Sequence, residues 1–138
     1  MQSRYVRLGL LLAPLTIPAW LWLTMLSPWT YQRPDHLPPV DAGSQAVFVY
    51  GTLTCAPVRW LVYGRAGDPE PAVLPGFERQ GLDLQPKNDG RVRGLVLDVS
   101  GTELIRLDRY ERLGVRYRRI QVQLASGQQA WVYVRLKE

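Results

Sequence analysis

Several short β-rich runs, two short helix-forming stretches and a closing pair of runs around Ser126-Gly127 predict an α+β domain built on a small curled or barrel-like sheet. Composition limits its size. The first third of the 138 residues is set apart as apolar and then proline-rich, which leaves room for one domain of about a hundred residues with a single core.

Residues 8–31 predict one transmembrane helix ahead of the domain. No charge occurs from Leu8 to Tyr31, and as a helix that run is on the order of 36 Å long, enough for a hydrocarbon layer of about 30 Å with some tilt. Pro14 and Pro18 should bend it, and Trp20, Trp22, Trp29 and Tyr31 crowd its distal half. A cleaved signal peptide is the alternative, but its apolar region would be unusually long and no small-x-small cleavage pattern follows. Arg4 and Arg7 precede the run, while Arg33 is balanced by Asp35 after it. Residues 1–7 are therefore expected in the cytoplasm and the domain on the extracytoplasmic side. Residues 32–44, with Pro34, Pro38 and Pro39 among small polar residues, read as an extended linker, so the domain is expected over 45–138.

The domain opens with Gln45 to Tyr50, a β-rich run that stops at Gly51-Thr52-Leu53. A strand ending in a glycine turn presents backbone amides in a cluster, which suits a carboxylate or similar anion, although most such sequences simply turn. Pro57 to Gly64 reads as a helix begun by proline and ended by glycine, with Val58, Leu61 and Val62 toward the sheet. Ala72 to Phe77 predicts a strand ending in a turn at Pro75-Gly76, and Val92 to Val99 a longer strand. Tyr117 to Leu124 and Gln129 to Leu136 predict a terminal hairpin.

The second helix, Thr102 to Leu113, is the best signalled element. Ser100-Gly101-Thr102-Glu103 reads as a capping box and Gly114 as the terminator. Leu104, Leu107 and Glu111 fall three and four residues apart, so Glu111 shares the apolar stripe. A carboxylate facing a core is either paired or raised in proton affinity. Asp108 borders the same stripe and is expected to be structural, paired with Arg112.

Charge and cysteine content exclude several classes. The net charge is +5 over the whole chain, but from Asp41 onward 14 Lys and Arg face 11 Asp and Glu, or +3. Arg91, Arg93, Arg116, Arg118, Arg119 and Arg135 alternate with apolar residues, as outer-face or edge charges do. No aromatic-and-basic platform accompanies them, so nucleic acid is not expected as a partner. Cys55 is alone, which rules out an intrachain disulfide and a thiolate metal cluster. The single histidine, His36, lies in the proline-rich linker.

Four segments in order, Val47 to Leu53, Leu74-Pro75-Gly76-Phe77, Leu107 to Glu111 and Tyr117-Arg118-Arg119, make the domain resemble the γ-glutamylcyclotransferase-like family. The resemblance implies a small mixed β-barrel with short helices and release of 5-oxoproline from γ-glutamyl compounds without a metal or organic cofactor. It implies Glu111 as the general acid/base and Tyr50, Gly51, Thr52 and Leu53 as the turn that holds the glutamyl group. Tyr117 and Arg119 are read either as substrate-orienting or as structural residues of the sheet.

Two departures stand out. Thr54-Cys55-Ala56-Pro57 replaces the polar run with an asparagine that many members carry, and Arg112 replaces the usual glycine after Glu111. Arg112 is expected to narrow the pocket or to favour an acidic leaving group. The expected activity is that of a membrane-anchored γ-glutamyl cyclotransferase acting on a small γ-glutamyl amine or peptide. The alternatives are an inactive ligand-binding module of the same fold, or a γ-glutamyl hydrolase or acyl transferase.

Overall fold

The computed structural model describes residues 16–27 and 29–137. The chain forms two compact units, Met1–Gln32 and Arg33–Glu138. In the first, residues 16–21 are α-helical and continue into a π-turn, Trp22–Leu26, closed by the Ser27 amide on the Trp22 carbonyl at 2.9 Å. The rings of Trp22 and Trp29 meet edge-on at 6.4 Å. The spanning helix expected over 8–31 lies partly outside the described residues, as do residues 1–7. No described helix is long and apolar enough to cross a membrane.

The second unit is a five-stranded sheet with two helices. Its strands are β1 (Gln45–Val49), β2 (Glu70–Gln80), β3 (Asp83–Val99), β4 (Tyr117–Gln123) and β5 (Gln129–Arg135), and its helices α1 (Ala56–Tyr63) and α2 (Gly101–Glu111). The order is β2-β3-β1-β5-β4, with β1 and β5 parallel and every other neighbouring pair antiparallel. The barrel implied by the family resemblance is therefore a curled half-barrel. Its edge strands β2 and β4 form no ladder, and the seam is bridged where the Ala125 amide donates to the Val73 carbonyl at 2.9 Å.

Alternation along the strands sorts the core into two faces. Phe48, Leu74, Leu84, Val92, Val122, Ala130, Val132 and Val134 fill the concave interior as one cluster with Tyr50 at its margin. Val47, Val49, Leu97, Val99 and Tyr133 point the other way, toward the side where α2 meets Tyr133.

Several expected bounds shift. The strand expected to end at Phe77 continues to Gln80, because Pro75-Gly76 passes an irregularity in the ladder instead of turning: Gly76 alone stands opposite residues 87–90 of the partner strand, and takes φ 82°, which glycine adopts without steric cost. Its partner begins at Asp83 rather than Val92, so a long β2–β3 hairpin stands where a loop was expected. In α1 the buried side chains are Arg59, Val62 and Tyr63, while Leu61 is exposed, contrary to the expected Val58, Leu61 and Val62 face.

Residues 33–44 contain no helix or strand, yet they lie against the domain instead of forming a free spacer. Arg33 Nη2 donates to the Pro38 carbonyl at 2.7 Å, and the Ser44 hydroxyl bonds the Asp98 carboxylate. The Asp41 carbonyl sits so close over Gly101 that a Cβ there would stand 2.3 Å from it.

Candidate active site

Helix α2 is built to deliver Glu111. The Ser100 hydroxyl accepts from the Glu103 amide and the Glu103 carboxylate accepts from the Ser100 amide, so both halves of the capping box form. Leu104 and Leu107 are fully buried and fix the helix's roll. The helix closes earlier than expected: Arg112 takes φ 52°, two residues before Gly114, and the Leu113 amide returns to the Asp108 carbonyl at 2.9 Å. Glu111 is thus the last helical residue, with Leu113 folded back into the core.

Glu111 is half-buried, and among the described residues its carboxyl has no hydrogen bond or ion pair. Burial alone pushes its carboxyl up to about 7. Burial also raises the phenols of Tyr50, Tyr117 and Tyr133, and the charge of Glu111 adds to the rise in all three. The carboxyl therefore sits among tyrosines, in a setting that disfavours its ionised form.

The Tyr50 turn lies beside it. After β1, residues Thr52–Thr54 form a single 3₁₀ turn, closed by Thr54 and Cys55 amides on the Gly51 and Thr52 carbonyls. Among the described residues, the amides of Gly51, Thr52 and Leu53 donate to no protein acceptor. The Thr52 hydroxyl bonds the Tyr110 hydroxyl at 3.0 Å, fastening the turn to α2 one residue before Glu111. The side chain of Leu53 is buried in the core, so this residue offers the site only its amide.

Further residues hold the turn from outside. Arg59 Nη1 donates to the Leu53 and Thr54 carbonyls at 3.0 and 2.8 Å, and Arg79 Nη1 to the Tyr50 carbonyl at 2.8 Å. The hydroxyls of Tyr50 and Tyr117 both donate to the Leu82 carbonyl at 3.2 Å, which ties the β2–β3 turn across the mouth of the half-barrel. Arg59 carried a sequence signal, a lone charge within an apolar helix. Arg79 and Leu82 carried none, because their contacts depend on a hairpin that the sequence did not reveal.

The other inward acid of α2 is fully paired. Asp108 is 1% exposed and accepts from Tyr133 Oη at 2.5 Å, from Arg33 Nη1 at 2.7 Å and from Arg119 Nη2 at 3.4 Å. Arg119 Nε lies 3.2 Å from the same carboxylate without hydrogen-bond alignment, and its guanidinium stacks over Trp131 at 4.4 Å. The expected Asp108–Arg112 pair does not form; Arg33 and Arg119 take that role. Tyr50, Gly51, Thr52, Tyr117 and Glu111 are gathered at one end of the sheet, whereas Arg119 turns to Asp108. No group of three or more metal-ligating side chains occurs among the described residues.

Fold and site together define a small α+β half-barrel in which a helix-borne carboxyl stands beside a glycine turn. The family model described as "Gamma-glutamyl cyclotransferase, AIG2-like" matches residues 47–138, and the chain belongs to that family. A comparison with curated proteins gives no match. Among solved structures, a protein from Arabidopsis thaliana is 30% identical with TM-score 0.58, over 72% of this chain and 66% of that one, just under two thirds of its length. An uncharacterised protein from Pyrococcus horikoshii is 21% identical with TM-score 0.53, over 68% of this chain and 80% of the other. A structure titled gamma-glutamyl cyclotransferase is 18% identical with TM-score 0.56, over 69% and 68%, a likeness of fold.

Proposed function

We propose that the protein is a γ-glutamyl cyclotransferase that converts a γ-glutamyl amine or peptide into 5-oxoproline and a free amine, with Glu111 as general acid/base. The observation that carries this reading is the unpaired, half-buried Glu111 carboxyl, raised to about 7 and held beside a turn with three unengaged amides. A base poised near neutral pH is suited to taking a proton from an amine and giving it back.

The substrate's α-amino nitrogen attacks its own γ-carbonyl carbon while Glu111 accepts a proton from that nitrogen. As the new ring C–N bond forms, negative charge builds on the carbonyl oxygen, where the Gly51, Thr52 and Leu53 amides are free to receive it. The old C–N bond then breaks, Glu111 delivers the proton to the departing nitrogen, and the carboxylate is restored. Reacting groups already joined in one molecule need only be folded together, so positioning supplies much of the rate.

Glu111→Gln keeps the shape and removes the base. With 5-oxoproline release as the assay, kcat should fall on the order of a hundredfold or more. Unchanged turnover of γ-glutamyl substrates would remove Glu111 from the mechanism, and formation of glutamate instead would identify a hydrolase.

The charge-free stretch from Leu8 to Tyr31 supports a membrane anchor, and Arg4 and Arg7 ahead of it, against Arg33 balanced by Asp35 behind it, support the domain on the extracytoplasmic side. Release of the full chain from membranes by alkaline carbonate would argue against an integral anchor. A topology reporter fused after Glu138 tests the sidedness.

A further inference from the structure

Helix α1 turns an apolar face to solvent. Its buried side chains are Arg59, Val62 and Tyr63, which leaves Pro57, Trp60 and Leu61 exposed at i, i+3 and i+4 on the other side. Trp60 is 62% exposed and Leu61 63%. No acidic residue lies on this helix. Single exposed apolar side chains are ordinary, whereas a helical face of them that includes tryptophan calls for a partner. Their distribution over the domain is also one-sided. Among the described residues from Arg33 onward, the exposed large apolar side chains are Trp60 and Leu61 on α1, Ile105 on α2, Val115 just beyond α2, and Leu82 in the β2–β3 turn. All but Leu82 thus belong to the helical side.

Both α1 and the linker are fastened to α2. The Thr52 hydroxyl, ahead of α1, bonds Tyr110, and Arg65, behind it, pairs with Glu103 at 2.7 Å. From the linker, Arg33 Nη1 meets Asp108 at 2.7 Å, Pro34 and Leu37 pack on Gly114 just after α2, and the Asp41 carbonyl covers Gly101 at its start. A linker bound at both ends of a helix gives no slack. The charge-free stretch ends at Tyr31, two residues before Arg33, a reach of about 7 Å of extended chain. With that stretch in a bilayer, α2 is held at the bilayer surface, and α1 is one helix spacing away, about 8–10 Å.

Resting on the membrane anchor proposed above, we infer that the outer face of α1 docks on the lipid surface of the same membrane, with Trp60 and Leu61 entering the headgroup layer. Tryptophan favours that layer because its ring is apolar and its N–H polar. Arg106, exposed and donating to the Tyr63 carbonyl at the end of α1, adds attraction to anionic headgroups. Two side chains make a weak contact by themselves. The anchor makes that contact intramolecular, at an effective concentration on the order of millimolar, so a weak contact suffices.

The test uses the full-length protein in nanodiscs of phosphatidylcholine and phosphatidylglycerol. Cys55→Ser removes the single cysteine, and a fluorescent nitrobenzoxadiazole label is then carried by Leu61→Cys or, on the exposed β2–β3 hairpin, by Asn88→Cys. Iodide in the water should quench the label on Leu61→Cys at least about fivefold less than the label on Asn88→Cys, while lipids brominated on their acyl chains should quench the first and spare the second. Adding Trp60→Glu puts a charge on the docked face at a position whose exposure spares the core, and should bring iodide quenching of the two labels within about twofold. Equal iodide quenching at the two positions in a chain that resists alkaline carbonate overturns the docking and leaves the anchor intact. Shielding from iodide without quenching by brominated lipid overturns it in favour of a protein surface, a second copy of this chain included. Shielding that survives Trp60→Glu overturns it too, because the label alone would then seek the lipid. Release of the chain by carbonate overturns the anchor and the docking together.

Discussion

Helix α2 carries two inward carboxyls three residues apart, and the chain treats them in opposite ways. Asp108 is sealed among Tyr133, Arg33 and Arg119, with every contact arriving from a different element. Glu111, a single turn further on, has no partner among the described residues and is half-buried beside three phenols. The first arrangement fixes a charge, whereas the second keeps a proton exchangeable. A buried acid is thus structural or chemical according to what surrounds it.

Removing the sealed acid should have the largest effect. Asp108→Ala leaves the Arg119 guanidinium buried without a counter-charge and the Tyr133 hydroxyl without its acceptor, a loss of about 3–5 kcal/mol of folding stability. Urea denaturation measures it. A loss below about 1 kcal/mol would show that this cluster is not a structural anchor, and the contrast between the two acids would fail.

That contrast was only half visible in the sequence. Glu111 was legible because its spacing from Leu104 and Leu107 is local, and the capping box, the glycine turn and the terminal hairpin were legible for the same reason. Asp108's partners lie 75, 11 and 25 residues away, and nothing local marks them. Arg33 sits in a proline-rich stretch that reads as spacer, and Arg119 alternates like an edge charge although its side chain is almost wholly buried. The β2–β3 hairpin escaped because Lys87-Asn88-Asp89-Gly90 has the composition of a loop, and these four residues are the unpaired stretch between Pro86, opposite Phe77, and Arg91, opposite Pro75.

The exchangeable acid gives the next largest effect, with the opposite sign. Burial raises the folded-state carboxyl from 4.5 to about 7, so below pH 4.5 it is protonated whether the chain is folded or not. As pH rises toward 7 the unfolded chain ionises while the folded site resists, and folding loses about 3 kcal/mol, complete above pH 7. Glu111→Gln escapes that loss. The variant should therefore match the wild type near pH 4 and exceed it in thermal stability at pH 8, while turnover by the wild type rises through pH 7 as the base loses its proton. Parallel stability curves across that range would show that Glu111 is not held in a disfavoured ionisation state.

The smallest effect concerns the backbone that separates the two acids from the rest of the chain. Arg112 occupies φ 52°, a left-handed position that costs a residue with a Cβ about 1–2 kcal/mol, whereas glycine there gives back about 0.5–1 kcal/mol through its freer unfolded chain. Arg112→Gly should therefore stabilise the fold by about 1 kcal/mol or less. It should also leave the pH–rate profile in place, because burial, and not this residue's charge, sets the Glu111 carboxyl. A loss of stability would mean that contacts of the Arg112 side chain outweigh the strain of its backbone. A displaced pH profile would mean that the guanidinium tunes Glu111, and the second acid would then be held by a neighbouring charge as the first one is.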